Sequence, residues 1–127
     1  MALILDTNAL SAFVDGDARL RKRIEQEFQL ALPVMVLGEY RFGIRDSRHR
    51  ARYASWLDAN LAVFLVLPIR AETSEHYAEV RAELKSAGRP IPSNDVWIAA
   101  LARQHGYALV SRDEHFQAVR GLDLLTW

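Results

Sequence analysis

Short apolar runs alternate with longer segments of helical pattern along this chain. Runs of this kind predict buried β-strands, and they cover residues 2–5, 30–32, 63–67, 108–110 and 122–125. Strands that alternate with helices are typical of a parallel sheet covered by helices. The alternation therefore predicts an α/β fold, with a mostly parallel five-stranded sheet flanked by helices on both faces.

Six helices are predicted between these runs. The first begins near Thr7 or Asn8, which are both able to cap it. Pro33 is expected as the first residue of the third helix, and Ser93 as the cap of the sixth, which Gly106 ends. The second, fourth, fifth and sixth helices are expected at 18–28, 49–62, 71–86 and 93–105. No repeat or linker interrupts the pattern, so residues 1–127 are expected to form one domain.

Composition narrows the class of protein. A chain of 127 residues that is half apolar has enough interior to fold as one domain. No apolar stretch approaches the roughly 18 to 20 residues of a membrane span. Asp6 interrupts the N-terminal apolar run, which argues against a signal peptide. The absence of cysteine excludes disulfides and thiolate zinc sites and fits a reducing cytoplasm, which is the expected location.

Four acidic residues occupy positions that a globular fold does not require. Asp6 closes the first apolar run, and Asp113 follows the fourth by a few residues. Asp95 opens one apolar helical segment, and Glu39 lies within another. In open α/β sheets the ligand crevice lies beyond the carboxyl ends of the strands. The four carboxylates are therefore expected to converge there.

Each acid alone also fits a purely structural role. Asp6 could cap the first helix, and Asp95 could favour the positive end of its helix dipole. Asp113 could form an Asx turn. Glu39 fits such a role less well, because it lies in a mostly apolar helical segment. A structural role for all four at once is the weaker hypothesis, so the sequence favours a shared site.

Converging carboxylates must either take up protons or bind a divalent cation. Two of them about 4 Å apart repel by roughly 4 kcal/mol at an effective dielectric near 20. Oxygen ligands without cysteine or paired histidine favour Mg²⁺ or Mn²⁺ over zinc, and such a cation supports phosphodiester hydrolysis. The site therefore predicts a nuclease. The histidines lack metal-ligand spacing and are predicted to be surface or core residues: His49, His76, His105 and His115.

Other classes of protein remain possible from these residues. A receiver-like signalling module also places acids at strand ends, but it needs a lysine at the end of a late strand. Neither Lys22 nor Lys85 is predicted there. A binding domain without catalytic activity is a further alternative, against which the intact acids argue. A nuclease acting on DNA keeps the same chemistry with another substrate.

Four segments resemble the motifs of the PIN-domain family in their order along the chain. They are LDTN at 5–8, VLGE at 36–39, NDVWIAA at 94–100 and LVSRDEHF at 109–116. Each motif is weak singly, whereas the four in order are specific. Length and motif order together resemble the VapC-type toxin ribonucleases of bacterial toxin–antitoxin pairs, over essentially the whole chain.

This resemblance implies a single PIN-like domain and a function. The implied activity is that of a Mg²⁺- or Mn²⁺-dependent endoribonuclease that cleaves cellular RNA such as tRNA, rRNA or mRNA and so inhibits translation and growth. It also implies a homodimer and a VapB-like antitoxin whose tail covers the acidic pocket. Asp6, Glu39, Asp95 and Asp113 match the acidic quartet of the family, which would be both catalytic and metal-binding.

Supporting residues follow from the same resemblance. Thr7 and Asn8 match the polar pair beside the first acid. Ser111 stands where the family often has threonine, and its hydroxyl is expected to orient Asp113 or a metal-bound water.

Arginine dominates the basic residues of the chain. Only Lys22 and Lys85 of the sixteen basic residues are lysines, although the formal net charge is zero. The planar guanidinium suits phosphates and carboxylates, although a solvated face is the alternative for most of these side chains. The candidate contacts to RNA or antitoxin are Arg41, Arg45, Arg48 and Arg112.

Overall fold

The computed structural model describes residues 1–24 and 29–127, and its five described strands form one sheet. The strands are β1 (Ala2–Leu5), β2 (Gln29–Pro33), β3 (Leu65–Leu67), β4 (Ala108–Val110) and β5 (Leu124–Leu125). Their order across the sheet is β3-β2-β1-β4-β5, and every neighbouring pair is parallel. The predicted α/β sheet is confirmed, and it is parallel throughout.

Six α-helices connect these strands in the part of the chain that the structure describes. They are α1 (Thr7–Val14), α2 (Ala18–Ile24), α3 (Val34–Ile44), α4 (Arg50–Asn60), α5 (Ala71–Ser86) and α6 (Ser93–His105). Two short 3₁₀ helices cover Leu61–Val63 and Glu114–Ala118. The prediction extended the second helix to Phe28, but residues 25–28 lie outside the described residues. None of the described helices is long and apolar enough to cross a membrane.

The predicted caps of α1 and α6 and the predicted first residue of α3 were each wrong by one residue, although α1 and α6 themselves begin where they were predicted. Asp6, rather than Thr7 or Asn8, caps α1, and it accepts a hydrogen bond from the N–H of Ala9 at 2.8 Å. Pro33 is the last residue of β2, with ψ at 143°, and α3 begins after it. Ser93 is likewise the first residue of α6 rather than its cap. Proline fixes φ but leaves ψ free, so it ends a strand as readily as it begins a helix.

The third and fifth strands are shorter than predicted. Val63 belongs to a 3₁₀ helix and is 71 % exposed, so the apolar run 63–67 contributes only its last three residues to the sheet. The fifth strand is reduced to Leu124–Leu125. A short apolar run shows that a segment is partly buried, but it does not show where regular strand pairing begins.

The centre of the sheet is buried on both faces. All four residues of β1 are buried, although successive side chains of a strand point to opposite faces. All three residues of β4 are buried as well. Because β1 and β4 are parallel neighbours, their carboxyl ends lie at the same edge of the sheet. Asp6 and Ser111 immediately follow these two ends.

Candidate active site and metal centre

A buried hydrogen-bond network joins the ends of β1 and β4. The Ser111 hydroxyl donates to Oδ2 of Asp6, and it accepts from the N–H of Asp113 at 2.9 Å. The N–H of Ala9 donates to Oδ1 of Asp6 at 2.8 Å. Asp6 is 5 % exposed and Ser111 is 1 % exposed. Both oxygens of Asp6 are therefore fixed in direction by the fold.

Burial raises the pKa of the Asp6 carboxyl above its ordinary value. The hydrogen bonds from Ser111 and Ala9 oppose this shift, because they favour the charged form. The negative charges of Asp113 and Asp95 add to it. The three carboxylates are thus close enough to repel one another.

Asp95 and Asp113 meet at one histidine. The Nδ1 atom of His115 lies 3.1 Å from Oδ2 of Asp95 and 3.1 Å from Oδ1 of Asp113. One ligand atom from each of these three residues lies within 4.8 Å of the others. Asp95 is held by the first turn of α6, whereas Asp113 caps the 3₁₀ helix at 114–118. This group of three residues is called the acidic cluster below.

Burial also raises the pKa of the Asp95 carboxyl. The hydrogen bond with His115 opposes that shift, and the charge of Asp113 adds to it. An acid that is disfavoured in its charged form by burial and by a like charge is stabilised when a cation approaches. The electrostatics of the acidic cluster therefore suit a divalent cation.

Glu39 lies outside the acidic cluster. It is exposed on α3, and its Oε1 atom accepts a hydrogen bond from Nδ2 of Asn94 at 3.2 Å. Asn94 directly precedes Asp95, so this bond places Glu39 at the border of the site. The structure brings Asp6, Asp95 and Asp113 together. Glu39 is linked to them only indirectly, through its hydrogen bond with Asn94. Its role as a metal ligand stays a prediction.

His115 is the site residue that sequence reasoning missed. His115 was predicted to be a surface or core residue; it is exposed, and its Nδ1 atom also contacts one acid from α6 and one from the turn after β4. Rules of spacing detect two histidines on one helix and do not detect a histidine that meets one nearby acid and one acid from a distant helix. The available signal was its place two residues after Asp113 in the last motif.

The predicted supporting residues differ in their surroundings. Thr7 is half-buried and Asn8 is exposed at the start of α1, and neither side chain makes a hydrogen bond among the described residues. Ser111 contacts Asp113 through the main-chain N–H and contacts Asp6 through its carboxylate. The roles expected of Thr7 and Asn8 stay predictions.

The candidate arginines fall into two groups. Arg41 lies 3.9 Å from Asp58 in an exposed pair, and Arg45 and Arg48 are exposed just after α3. Pairs of this kind contribute little to stability. Arg112 directly precedes Asp113, and its Nε donates to the main-chain oxygen of Trp127 at 2.8 Å. Of the four, only Arg112 is adjacent in sequence to a residue of the acidic cluster.

A parallel sheet with acids gathered at the carboxyl ends of β1 and β4 is the arrangement that the family resemblance implied. The family model of the PIN domain matches residues 3–122. The chain therefore belongs to the PIN-domain family.

Individual relatives extend the match to nearly the full chain. The present chain is similar to a VapC ribonuclease, Y4jK, of Sinorhizobium fredii, with 29 % identity over 97 % of this chain and 95 % of that protein. It is 32 % identical to ribonuclease VapC4 of Mycobacterium tuberculosis over 78 % of each chain. Among solved structures, VapBC2 of Rickettsia felis bound to promoter DNA has a TM-score of 0.87 at 26 % identity. That alignment covers 100 % of this chain and 99 % of the other.

Proposed function

We propose that the protein is a metal-dependent endoribonuclease that acts as the toxin of a type II toxin–antitoxin pair. Two contacts in a PIN-domain chain carry this proposal: Ser111 links Asp6 to the main chain of Asp113, and ligand oxygens of Asp113 and Asp95 lie within 4.8 Å of each other. Relatives over the full chain are named VapC ribonucleases, which supports RNA as the substrate. The proposed reaction is hydrolysis of phosphodiester bonds in cellular RNA.

The donor set of the site fits Mg²⁺ or Mn²⁺. Carboxylate oxygens of Asp95 and Asp113 lie within 4.8 Å of each other, and Asp6 interacts with both acids. Hard cations of this type prefer oxygen ligands. A bound Mg²⁺ or Mn²⁺ would polarise a phosphoryl oxygen and promote deprotonation of the attacking water. We infer that Asp6, Asp95, Asp113 and Glu39 hold the cation and act as the catalytic residues.

The remaining residues position these acids. Ser111 and the N–H of Ala9 fix the two oxygens of Asp6, so little rearrangement is needed when a cation enters. Nδ1 of His115, when it carries a proton, donates to Asp95 or Asp113 and reduces the repulsion between them. Asn94 holds Glu39 at the border of the site.

A protein partner is part of the proposal. The solved relatives include VapBC complexes, such as VapBC-1 of nontypeable Haemophilus influenzae. We infer that a VapB-like antitoxin neutralises this chain by covering the acidic site and that the toxin is a homodimer. We infer that the protein acts in the cytoplasm, where its proposed RNA substrates are found.

Cleavage of purified RNA tests the proposed activity. End-labelled tRNA and rRNA fragments should be cut in Mg²⁺ or Mn²⁺, and EDTA should stop the reaction. Asp95→Asn, purified in the same way, should be inactive under the same conditions. Its inactivity would exclude a contaminating nuclease as the source of cleavage. Cleavage of DNA but not RNA would transfer the proposal to a DNA substrate, and cleavage by the Asp95→Asn protein would refute it.

Growth tests the toxin assignment. Expression of the chain alone should arrest growth, and co-expression of a VapB-like protein should restore it. Arrest should disappear with Asp95→Asn at the same expression level. Normal growth of cells that contain active ribonuclease would contradict the toxin assignment while leaving the enzyme assignment intact.

A further inference from the structure

Cations surround the indole of Trp127 at the edge of the sheet that carries the acids. We call the group formed by Trp127 with Arg19, Lys22, Arg23 and Arg112 the Trp127 patch. A cavity of about 370 Å³ is lined by Trp127 together with three of the four cations of α2, namely Arg19, Lys22 and Arg23. A cavity of this size holds a small ligand group.

The topology of the sheet places the Trp127 patch beside the acidic cluster. The N–H of Ser111 donates to the carbonyl of Leu125 at 2.9 Å, so the segments that leave β4 and β5 run side by side. Arg112 follows on one segment and Trp127 on the other. Arg112 of the patch is followed directly by Asp113 of the acidic cluster, so the two groups of residues are neighbours.

Two arginines hydrogen-bond the main chain around Trp127. Arg112 donates from Nε to the main-chain oxygen of Trp127 at 2.8 Å, and Arg23 donates from Nε to the carbonyl of Thr126 at 3.3 Å. The guanidinium carbon of Arg112 lies 4.3 Å from the indole centroid, so Arg112 covers the ring from one side. Trp127 also lines the cavity of the patch, where a ligand would meet the indole in a largely preformed orientation.

The charge of the Trp127 patch is predominantly positive. Arg19 and Lys22 are exposed, and neither makes an ion pair within residues 1–24 and 29–127. Among residues 1–24 and 29–127, one acid close to the patch is Asp17, which caps α2 by accepting from the N–H of Leu20 at 3.0 Å. That hydrogen bond, with help from the charge of Arg112, lowers the pKa of Asp17, so this acid stays charged at neutral pH. Among the residues that the structure describes, four cations thus share this surface with the carboxylate of Asp17.

We propose that the Trp127 patch binds a single-stranded segment of the RNA substrate next to the cleaved bond. Phosphates would contact Arg19 and Lys22, and a base would stack on Trp127. Sites that bind single strands without sequence preference combine cations with aromatic platforms in this manner. An acidic peptide would need only the cations, so the indole favours RNA. The inference rests on the proposed ribonuclease function, whose substrate contact it specifies.

Binding without cleavage tests the proposal. The probe is a fluorescein-labelled single-stranded oligoribonucleotide of about ten nucleotides, and its anisotropy is measured in EDTA. The double variant Arg19→Glu/Lys22→Glu should bind at least tenfold more weakly than the wild type. The dependence of log K on log salt should also be shallower by roughly one to two units, because about two phosphate contacts are lost. Both side chains are exposed, so the melting temperature should not change.

A charge-matched control separates this surface from overall charge. Arg70→Glu/Arg120→Glu changes the net charge by the same amount at two exposed positions that are not candidate contacts. It should weaken binding by less than threefold. An equal loss in the two double variants would show that only net charge matters and would overturn the proposal. Unchanged binding by Arg19→Glu/Lys22→Glu would overturn it as well.

The stacking step is tested at Trp127 itself. Trp127→Phe keeps an aromatic face and should retain most of the affinity, whereas Trp127→Ala should lose about tenfold. Equal affinity of the Phe and Ala variants would remove the stacking role and overturn the proposal as stated.

Failure of this inference can be distinguished from failure of the proposed function. If the wild type cleaves RNA in Mg²⁺ but the double variant binds the probe normally, the patch assignment is wrong and the enzyme assignment stands. If the double variant loses binding but the wild type cleaves no RNA, the patch is supported and the enzyme assignment fails. Loss of antitoxin binding with normal RNA binding would identify the patch as a protein-docking surface and overturn the inference.

Discussion

The hydroxyl of Ser111 donates a hydrogen bond to Oδ2 of Asp6 across 105 positions of sequence. The same oxygen of Ser111 accepts from the N–H of Asp113 at 2.9 Å. One small side chain therefore couples the acid after β1 to the turn that carries the acid after β4. The coupling is buried, so its loss cannot be compensated by bulk water.

Ser111→Ala is expected to destabilise the protein and to reduce its activity. The substitution removes a donor to Asp6 and an acceptor for the Asp113 N–H, and unsatisfied buried groups cost about 1 to 3 kcal/mol. Loss of the donor also raises the pKa of Asp6 further, which weakens cation binding. Urea unfolding measures the first effect, and RNA cleavage measures the second.

Ser111→Thr is the matched control, because it keeps the hydroxyl. It should retain most of the cleavage activity, provided that its added methyl group is accommodated. If Ser111→Ala were as stable and as active as Ser111→Thr, the hydrogen bonds of Ser111 would have no part in forming the site.

Two of the acids predicted for the site lie close together because their positions follow from topology. A parallel sheet brings the carboxyl ends of its strands to one edge, so Asp6 and Asp113 had to be near each other once β1 and β4 were neighbours. The structural roles that served as alternatives also exist, since Asp6 caps α1 and Asp113 caps a 3₁₀ helix. For these acids, capping and membership of the site are compatible.

Asp95→Asn is expected to separate activity from stability. Cleavage should fall by at least roughly 100-fold, because substitution of residues that merely hydrogen-bond to a metal ligand already costs up to that much. The metal-free protein should be as stable as the wild type or more stable, because burial and Asp113 disfavour the charge that is removed. Activity assays and urea unfolding in EDTA measure the two effects. A large loss of stability would show that the charge of Asp95 holds the fold together.

The pH dependence of stability should reveal the raised pKa of Asp95. An acid with a raised folded-state pKa contributes stability that is fully present below its unfolded pKa and is lost as pH rises through the folded value. The amide that replaces this carboxyl in Asp95→Asn cannot titrate. In EDTA the free energy of unfolding of Asp95→Asn should therefore exceed that of the wild type by a margin that grows as pH rises above 3.8, the ordinary pKa of the carboxyl.

Urea unfolding between about pH 4 and pH 8 provides this comparison. An advantage of Asp95→Asn that shrinks as pH rises would contradict the assigned direction of the shift.

Side-chain partners were the part of the site that the sequence could not supply. The contact of His115 with Asp95 depends on the relative placement of α6 and a 3₁₀ helix, which no local pattern encodes. Glu39 was expected as an acid within an apolar segment, but α3 turns it toward solvent, where Asn94 is its partner. Helical pattern predicts that a face is apolar and does not predict the direction of one residue at its border.

Glu39→Gln is expected to lower cleavage without affecting stability. Glu39 is exposed, and substitutions at exposed positions usually change the free energy of unfolding by less than about 0.5 kcal/mol. If Glu39 completes the cation site, cleavage should fall at least tenfold. Glu72→Gln, which alters an exposed acid in the first turn of α5, should leave cleavage unchanged. Full activity of Glu39→Gln would remove Glu39 from the set of metal ligands.

Metal binding should raise the melting temperature and distinguish the ligands within the acidic cluster. A cation at about 100 times its dissociation constant stabilises the folded state by about 2.7 kcal/mol. Millimolar Mg²⁺ should therefore shift the wild type upward, and Asp95→Asn should lose the shift. His115→Ala should keep most of it, because Mg²⁺ prefers oxygen ligands and His115 then only holds two acids in place. Loss of the Mg²⁺ shift in His115→Ala would make the imidazole a ligand, and no shift in the wild type would contradict the cation site itself.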